Sequence, residues 1–206
     1  MTKDKLARLF PKHLRISLSL LGLSILLAIL FPSSHRTLIV FGMLFSMLGD
    51  MALMNWQGLF SKYTPSPFVT GGLLFMTGHV FYGLGYDMPI REAGQTPLNI
   101  GLIAGILLGV LTVLSLLWMA KKNGCPSLKK GLLLSLYASF EFFDCAMVFA
   151  CAAAGFSFLK LCGILGILSF IASDYFIGMD NVANDRRLTK YIWTFYTAGQ
   201  LLLILG

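Results

Sequence analysis

Seven long apolar runs, separated by short polar breaks, decide what this 206-residue chain can fold into. They cover residues 14–31, 37–56, 67–86, 98–120, 131–153, 156–177 and 190–206. A run of about 17–25 mainly apolar residues spans the roughly 30 Å hydrocarbon core of a bilayer as a helix. The runs therefore predict an all-α polytopic membrane bundle of seven transmembrane helices. Composition agrees: 12% of the residues are charged and 57% hydrophobic, whereas soluble domains carry about 25% charged residues.

The breaks carry turn chemistry, at Pro32-Ser33-Ser34, Pro65-Ser66-Pro67, Pro89, Asn123 to Pro126 and Asn181 to Arg187. The slight break at Ala153–Phe156 predicts a tight hairpin between the fifth and sixth spans. Residues 1–13 read as a basic cytoplasmic arm and 14–206 as one bundle. The first run is longer than a signal core and no small-residue cleavage site follows it, so no cleaved signal is expected.

The net charge of +7 could suggest nucleic acid. The basic residues instead cluster in short loops, the pattern of topology signals and anionic-lipid contact. Thirteen Lys and Arg fall on one side of the predicted topology and three on the other, Arg36, Arg91 and Lys160. The positive-inside rule then puts the N-terminus in the cytoplasm and the C-terminus outside. The expected location is an integral membrane protein, in the cytoplasmic membrane if the host is bacterial. The expected partners are membrane lipids and a lipid substrate, not nucleic acid. Cys125, Cys145, Cys151 and Cys162 form no CxxC pair, and three lie in or beside apolar runs, where Cys behaves as a small hydrophobe.

Within these runs stand four acids, Asp50, Glu141, Asp144 and Asp174, with no Lys or Arg close by in sequence to balance them. An Asp at the centre of a membrane helix costs about 2.5–3.5 kcal/mol on insertion scales, which makes such residues functional candidates. Removal from water favours the neutral form of a carboxyl, and a neutral carboxyl beside an ionised one is equipment for acid/base chemistry.

Gly42, Ser46 and Asp50 share a helix face by their spacing of four. Phe75, His79, Tyr82 and Gly83 form another stripe. Glu141 and Asp144 face one way, so they either line a cavity or hold His79; Tyr137 lies one turn before Glu141. Ser173-Asp174 echoes the first acid. In the last run Trp193, Tyr196 and Gln200 share a face expected to line the same cavity. Asp87, Glu92, Asp180 and Asp185 read as solvated loop residues, and His13 and His35 as arm and loop residues. With one intramembrane His there is no His cluster, and no metal or other cofactor is expected, since zinc normally wants three or four protein ligands.

Taken together, Ser46-Met47-Leu48-Gly49-Asp50, Gly78-His79-Val80-Phe81-Tyr82, Ser173-Asp174 and Tyr196-Thr197-Ala198-Gly199-Gln200 resemble, in order and spacing, the motifs of the YhhN-like lysoplasmalogenase family. The resemblance covers about residues 38–206. That pattern is drawn with eight spans where seven are read here, and the Glu141/Asp144 pair falls outside it. The resemblance implies hydrolysis of the vinyl ether bond of a lysoplasmalogen, giving a fatty aldehyde and a glycerophospho head group. Vinyl ethers hydrolyse by protonation of carbon and capture of an oxocarbenium-like ion by water, an ion that glycosidases stabilise with two carboxyls. Asp50 and Asp174 would be the acid and base, with Asp50 the better candidate for the acid. His79 would assist them. Tyr82, Ser46, Ser173, Glu141, Asp144, Tyr196 and Gln200 would line the substrate site.

Three other classes fit the same runs less well. A proton-coupled transporter or channel would use the same acids as a relay. A retinal protein needs a buried Lys in its last span, where this chain has only Lys190 at the start. A metal-dependent lipid amidase needs more His than one membrane position supplies.

Overall fold

The computed structural model describes residues 11–64, 66–95, 98–123, 128–181 and 183–206. Their helices, in chain order, are α1 (Lys12–Leu30), α2 (Ser34–Leu53), a short α3 (Leu59–Tyr63), α4 (Pro67–Glu92), α5 (Leu98–Lys122), α6 (Leu128–Ala153), α7 (Phe158–Asn181) and α8 (Ile192–Leu205). No strand occurs among the described residues. The protein is an all-α integral membrane bundle.

Local chemistry sets the helix starts. Ser33 separates α1 from α2, and its hydroxyl accepts from the Arg36 amide at 3.1 Å. Ser66 caps α4 in the same way, with Pro67 in the first turn, where a missing N–H costs nothing. After α2 the chain turns through three left-handed residues, Asn55, Gln57 and Gly58. The Asn55 side chain accepts from the Ser61 amide at 2.9 Å and starts α3. The run 37–56 gave no sign of α3.

Six helices, α1, α2, α4, α5, α6 and α7, are long and apolar enough to cross a membrane. The expected seventh span is shorter than predicted. A 3₁₀ turn, Thr189–Tyr191, precedes α8, whose 14 residues reach about 21 Å at 1.5 Å per residue, less than a bilayer core. Its last carbonyls lack intrahelical partners. The Arg36 guanidinium, from the first turn of α2, donates to the carbonyls of Ile204 and Leu205.

Four arm and loop expectations are corrected, for Pro89, His35, His13 and Asp87. Pro89 lies inside α4 and does not end it. A proline there leaves the carbonyl four residues earlier without its donor, and His35 Nδ1 takes that carbonyl, Gly85 O, at 2.9 Å. His35 is thus a helix residue in the first turn of α2, and His13 likewise lies in the first turn of α1. Asp87 is not solvated: its side chain is fully buried and pairs with Arg91 one turn on. Asp180 lies in the last turn of α7 and bonds Arg186, and Asp185 bonds Arg187. Cys125 lies outside the described residues, as do residues 1–10 of the expected arm; Cys145, Cys151 and Cys162 are free thiols.

Packing closes the bundle. α1 packs on α2, α2 on α4, α4 on α6, α6 on α7, α7 on α8, and α8 back on α1. This is a six-helix ring. α5 stands outside it, packed on α6, with Leu116 meeting the end of α7 at Gly178. Helix association in lipid relies on close van der Waals approach, which small residues permit. On Gly78 a Cβ would lie 3.0 Å from Ser46 Oγ, and on Gly199 it would lie 2.8 Å from the Phe170 amide nitrogen. These contacts draw α4 onto α2 and α8 onto α7. The polar residues of both pairs then face the ring interior.

Candidate functional site

A cavity of about 250 Å³ lies inside the ring, walled by α2, α4, α6, α7 and α8 and mostly apolar. It sits towards the C-terminal ends of α2 and α7 and the N-terminal ends of α4 and α8, the end of the bundle that bears most of the Lys and Arg. Asp50 and Asp174 both line it, with Tyr137, Ser173, Trp193 and Tyr196.

Asp50, near the end of α2, is 4% exposed. Its Oδ2 accepts from Ser17 Oγ of α1 at 2.5 Å and from Tyr196 Oη of α8 at 2.6 Å. Both hydroxyls are fixed by other helices: Ser17 is fully buried, and the Tyr196 ring packs against Phe75, Phe170 and Trp193. Trp193 in turn stacks on His13, with ring centroids 3.7 Å apart. The first and last long helices therefore meet over the same acid.

Asp174, half-buried on α7, accepts from the Tyr137 hydroxyl of α6. The same hydroxyl lies 3.3 Å from His79 Nε2. His79 is buried on α4, and its Nδ1 lies 3.2 Å from Oδ2 of the fully buried Asp144. Since an ionised carboxylate can only accept, Nδ1 donates there. Four helix-borne groups thus form one line: Asp144, His79, Tyr137, Asp174. Of the two alternatives open for the α6 acids, Asp144 holds His79. Glu141 is also buried, at 4% exposure, and its Oε1 has no hydrogen-bond partner among the described residues.

Of the remaining expected lining residues, Tyr82, Gln200 and Ser46 do not line the cavity. Tyr82 is fully buried and donates to Gln200 Oε1 at 2.6 Å, joining α4 to α8. Gln200 therefore lies behind the cavity, while Trp193 and Tyr196 of the same helix line it. Ser46 is buried at the α2–α4 contact beside Gly78. Ser173 lines the cavity, but its hydroxyl donates to the Ile192 carbonyl at 3.1 Å and ties α7 to α8. Ser17 and Tyr137 were not expected as site residues. Nothing near Ser17 in sequence marks it, whereas Tyr137 stood one turn from Glu141 and pointed the same way.

The family model of the YhhN family matches residues 14–206. The chain belongs to the YhhN family. No curated protein and no solved structure matches it. For this YhhN protein the expectation of no metal rested on the lack of a His cluster. Yet one ligating atom each from His79, Glu141 and Asp174 lie within 4.8 Å of one another. Among the described residues, no Lys or Arg lines the cavity of this YhhN protein. What the site offers is two carboxylates held by hydroxyls in a mostly apolar chamber, with one imidazole buried behind the Tyr137 hydroxyl.

Proposed function

We propose that this YhhN-family protein hydrolyses the vinyl ether bond of a lysoplasmalogen or a closely related lysolipid. The observation that carries the reading is that Asp50 and Asp174, from different helices, line one apolar cavity. Asp50 is the proton donor. Its Oδ2 already takes two hydroxyl donors, so the transferable proton sits on Oδ1. Delivery to the outer vinyl carbon leaves an oxocarbenium-like ion, which the nearby carboxylates stabilise. Asp174 removes a proton from the water that attacks the carbon bearing oxygen. The hemiacetal formed then collapses: the bond to the glycerol oxygen breaks, that oxygen takes the hydroxyl proton, and the fatty aldehyde leaves. Asp174 ends protonated and Asp50 ionised, and cavity water returns the proton.

The lipid enters from the leaflet facing the basic end, with its phosphate near the Lys and Arg there and its tail among Phe68, Phe75 and Met76. By the positive-inside rule that leaflet is cytoplasmic. Purified protein in detergent, given a panel of lysolipids and read by mass spectrometry, tests the reading. Release of fatty aldehyde from the vinyl ether lipid alone supports it. No turnover of any lipid, with proton-gradient-dependent uptake in liposomes, would replace it with the transporter reading.

A further inference from the structure

The hydrolase reading uses Asp50 and Asp174 and leaves Glu141 without a task. Burying a carboxylate with no donor is costly, and Glu141 Oε1 is such a group. It does not stand alone. His79 of α4, Glu141 of α6 and Asp174 of α7 each place a ligating atom within 4.8 Å of the other two. Behind them Asp144 faces His79 Nδ1. An imidazole that ligates a metal almost always gives its second ring N–H to a carboxylate or carbonyl, which fixes the ring and its tautomer. With Nδ1 so engaged, Nε2 carries the lone pair. The shared contact with the Tyr137 hydroxyl shows that Nε2 and Asp174 look into the same spot.

We propose that His79, Glu141 and Asp174 form a binding site for one divalent first-row transition-metal ion, with zinc the best fit. Imidazole as a ligand favours zinc or iron over calcium and magnesium, which prefer all-oxygen shells. Three protein ligands with an open fourth position is the arrangement of catalytic zinc, at about 2.0–2.2 Å per bond. Ligand atoms around such an ion stand about 3.4 Å apart, so the three, now within 4.8 Å of one another, close in by up to about 1.4 Å, chiefly through the long Glu141 side chain. The ion takes the place between His79 and Asp174 now bridged by the Tyr137 hydroxyl, which is left to donate to the outer oxygen of Asp174. Two positive charges balance acids that, among the described residues, no Lys or Arg pairs with. The proposal goes beyond the hydrolase reading and does not depend on it.

The test is metal content. Tag-free protein in detergent, stripped with chelator and dialysed against zinc chloride, is assayed by mass spectrometry, and the cobalt-loaded form is followed by its visible absorption. About one ion per chain is expected, with the absorption bands of a four- or five-coordinate site. His79→Ala and Glu141→Gln, each monodisperse on size exclusion, lose the ion. Asp144→Asn weakens binding by about 10–100-fold. Tyr137→Phe keeps it, a result that a site serving only as a hydrogen-bond network does not predict. Native protein that takes up no stoichiometric zinc, or His79→Ala and Glu141→Gln variants that bind as the native chain does, would overturn the proposal. Loss of the ion in Tyr137→Phe would overturn this ligand set. Lipid turnover is no part of the readout, so metal binding and hydrolysis stand or fall separately.

Discussion

Asp50 and Asp174 follow a small residue in the same kind of apolar helix, yet their surroundings differ in kind. Asp50 sees two hydroxyls, Ser17 and Tyr196, brought by the first and last long helices. Asp174 sees one hydroxyl, Tyr137, and beyond it an imidazole and two further acids. A carboxyl among neutral donors can hold a single proton in a defined place. A carboxyl in a cluster of titrating groups shares its proton with them. Within the proposed hydrolysis, this difference favours Asp50 for proton delivery and the Asp174 side for proton removal and charge balance.

Five variants strain this contrast, in decreasing order of effect. Asp50→Asn and Asp174→Asn should each cost about 10²–10⁴ in kcat with the protein folded and inserted, measured by aldehyde release. Full activity in either removes that residue from the mechanism. Tyr196→Phe should follow, at about tenfold or more, because a hydrogen bond to a charged group is worth about 1.5–3 kcal/mol. Ser17→Ala should act in the same direction and less strongly, since Tyr196 remains on Asp50; an effect larger than that of Tyr196→Phe would reverse the ranking of the two donors. Ser173→Ala should leave kcat within about twofold and lower thermal stability by about 1 kcal/mol, as its hydroxyl serves the α7–α8 contact. A selective rise in KM would instead return Ser173 to the substrate site.

Much of the fold was legible because bilayer thickness imposes a length on each apolar run. That rule located α1, α2, α4, α5, α6 and α7 to within a few residues. At 190–206 the run is a 14-residue helix preceded by a 3₁₀ turn, shorter than the other spans, and the seventh crossing is not established. The rule also passed over α3, whose turn is marked only by Asn55 and Gly58. At the site, the acids and His79 announced themselves, because a membrane penalises each of them individually. Their partners did not. Ser17 is 33 residues from Asp50 and Tyr196 is 146 away; only the ring closure of α8 on α1 brings them together. Gln200 shares a face with Tyr196, yet helical periodicity cannot tell that one opens on the cavity and the other is spent on Tyr82.

α5 takes no part in the ring, and therein lies its use. Gly105 and Gly109 let its backbone settle against α6 at Ser139 and Phe143. Its outward side, from Ile103 to Trp118, is broadly exposed and apolar. α5 therefore works as an insulating jacket. It puts a second layer of protein over the face of α6 that carries Ser139, opposite the face that turns Glu141 and Asp144 into the ring. Its outer leucines and isoleucines can be exchanged for one another at little cost, whereas a side chain added at Gly109 would meet the Ser139 backbone at 2.6 Å and lift the jacket off α6.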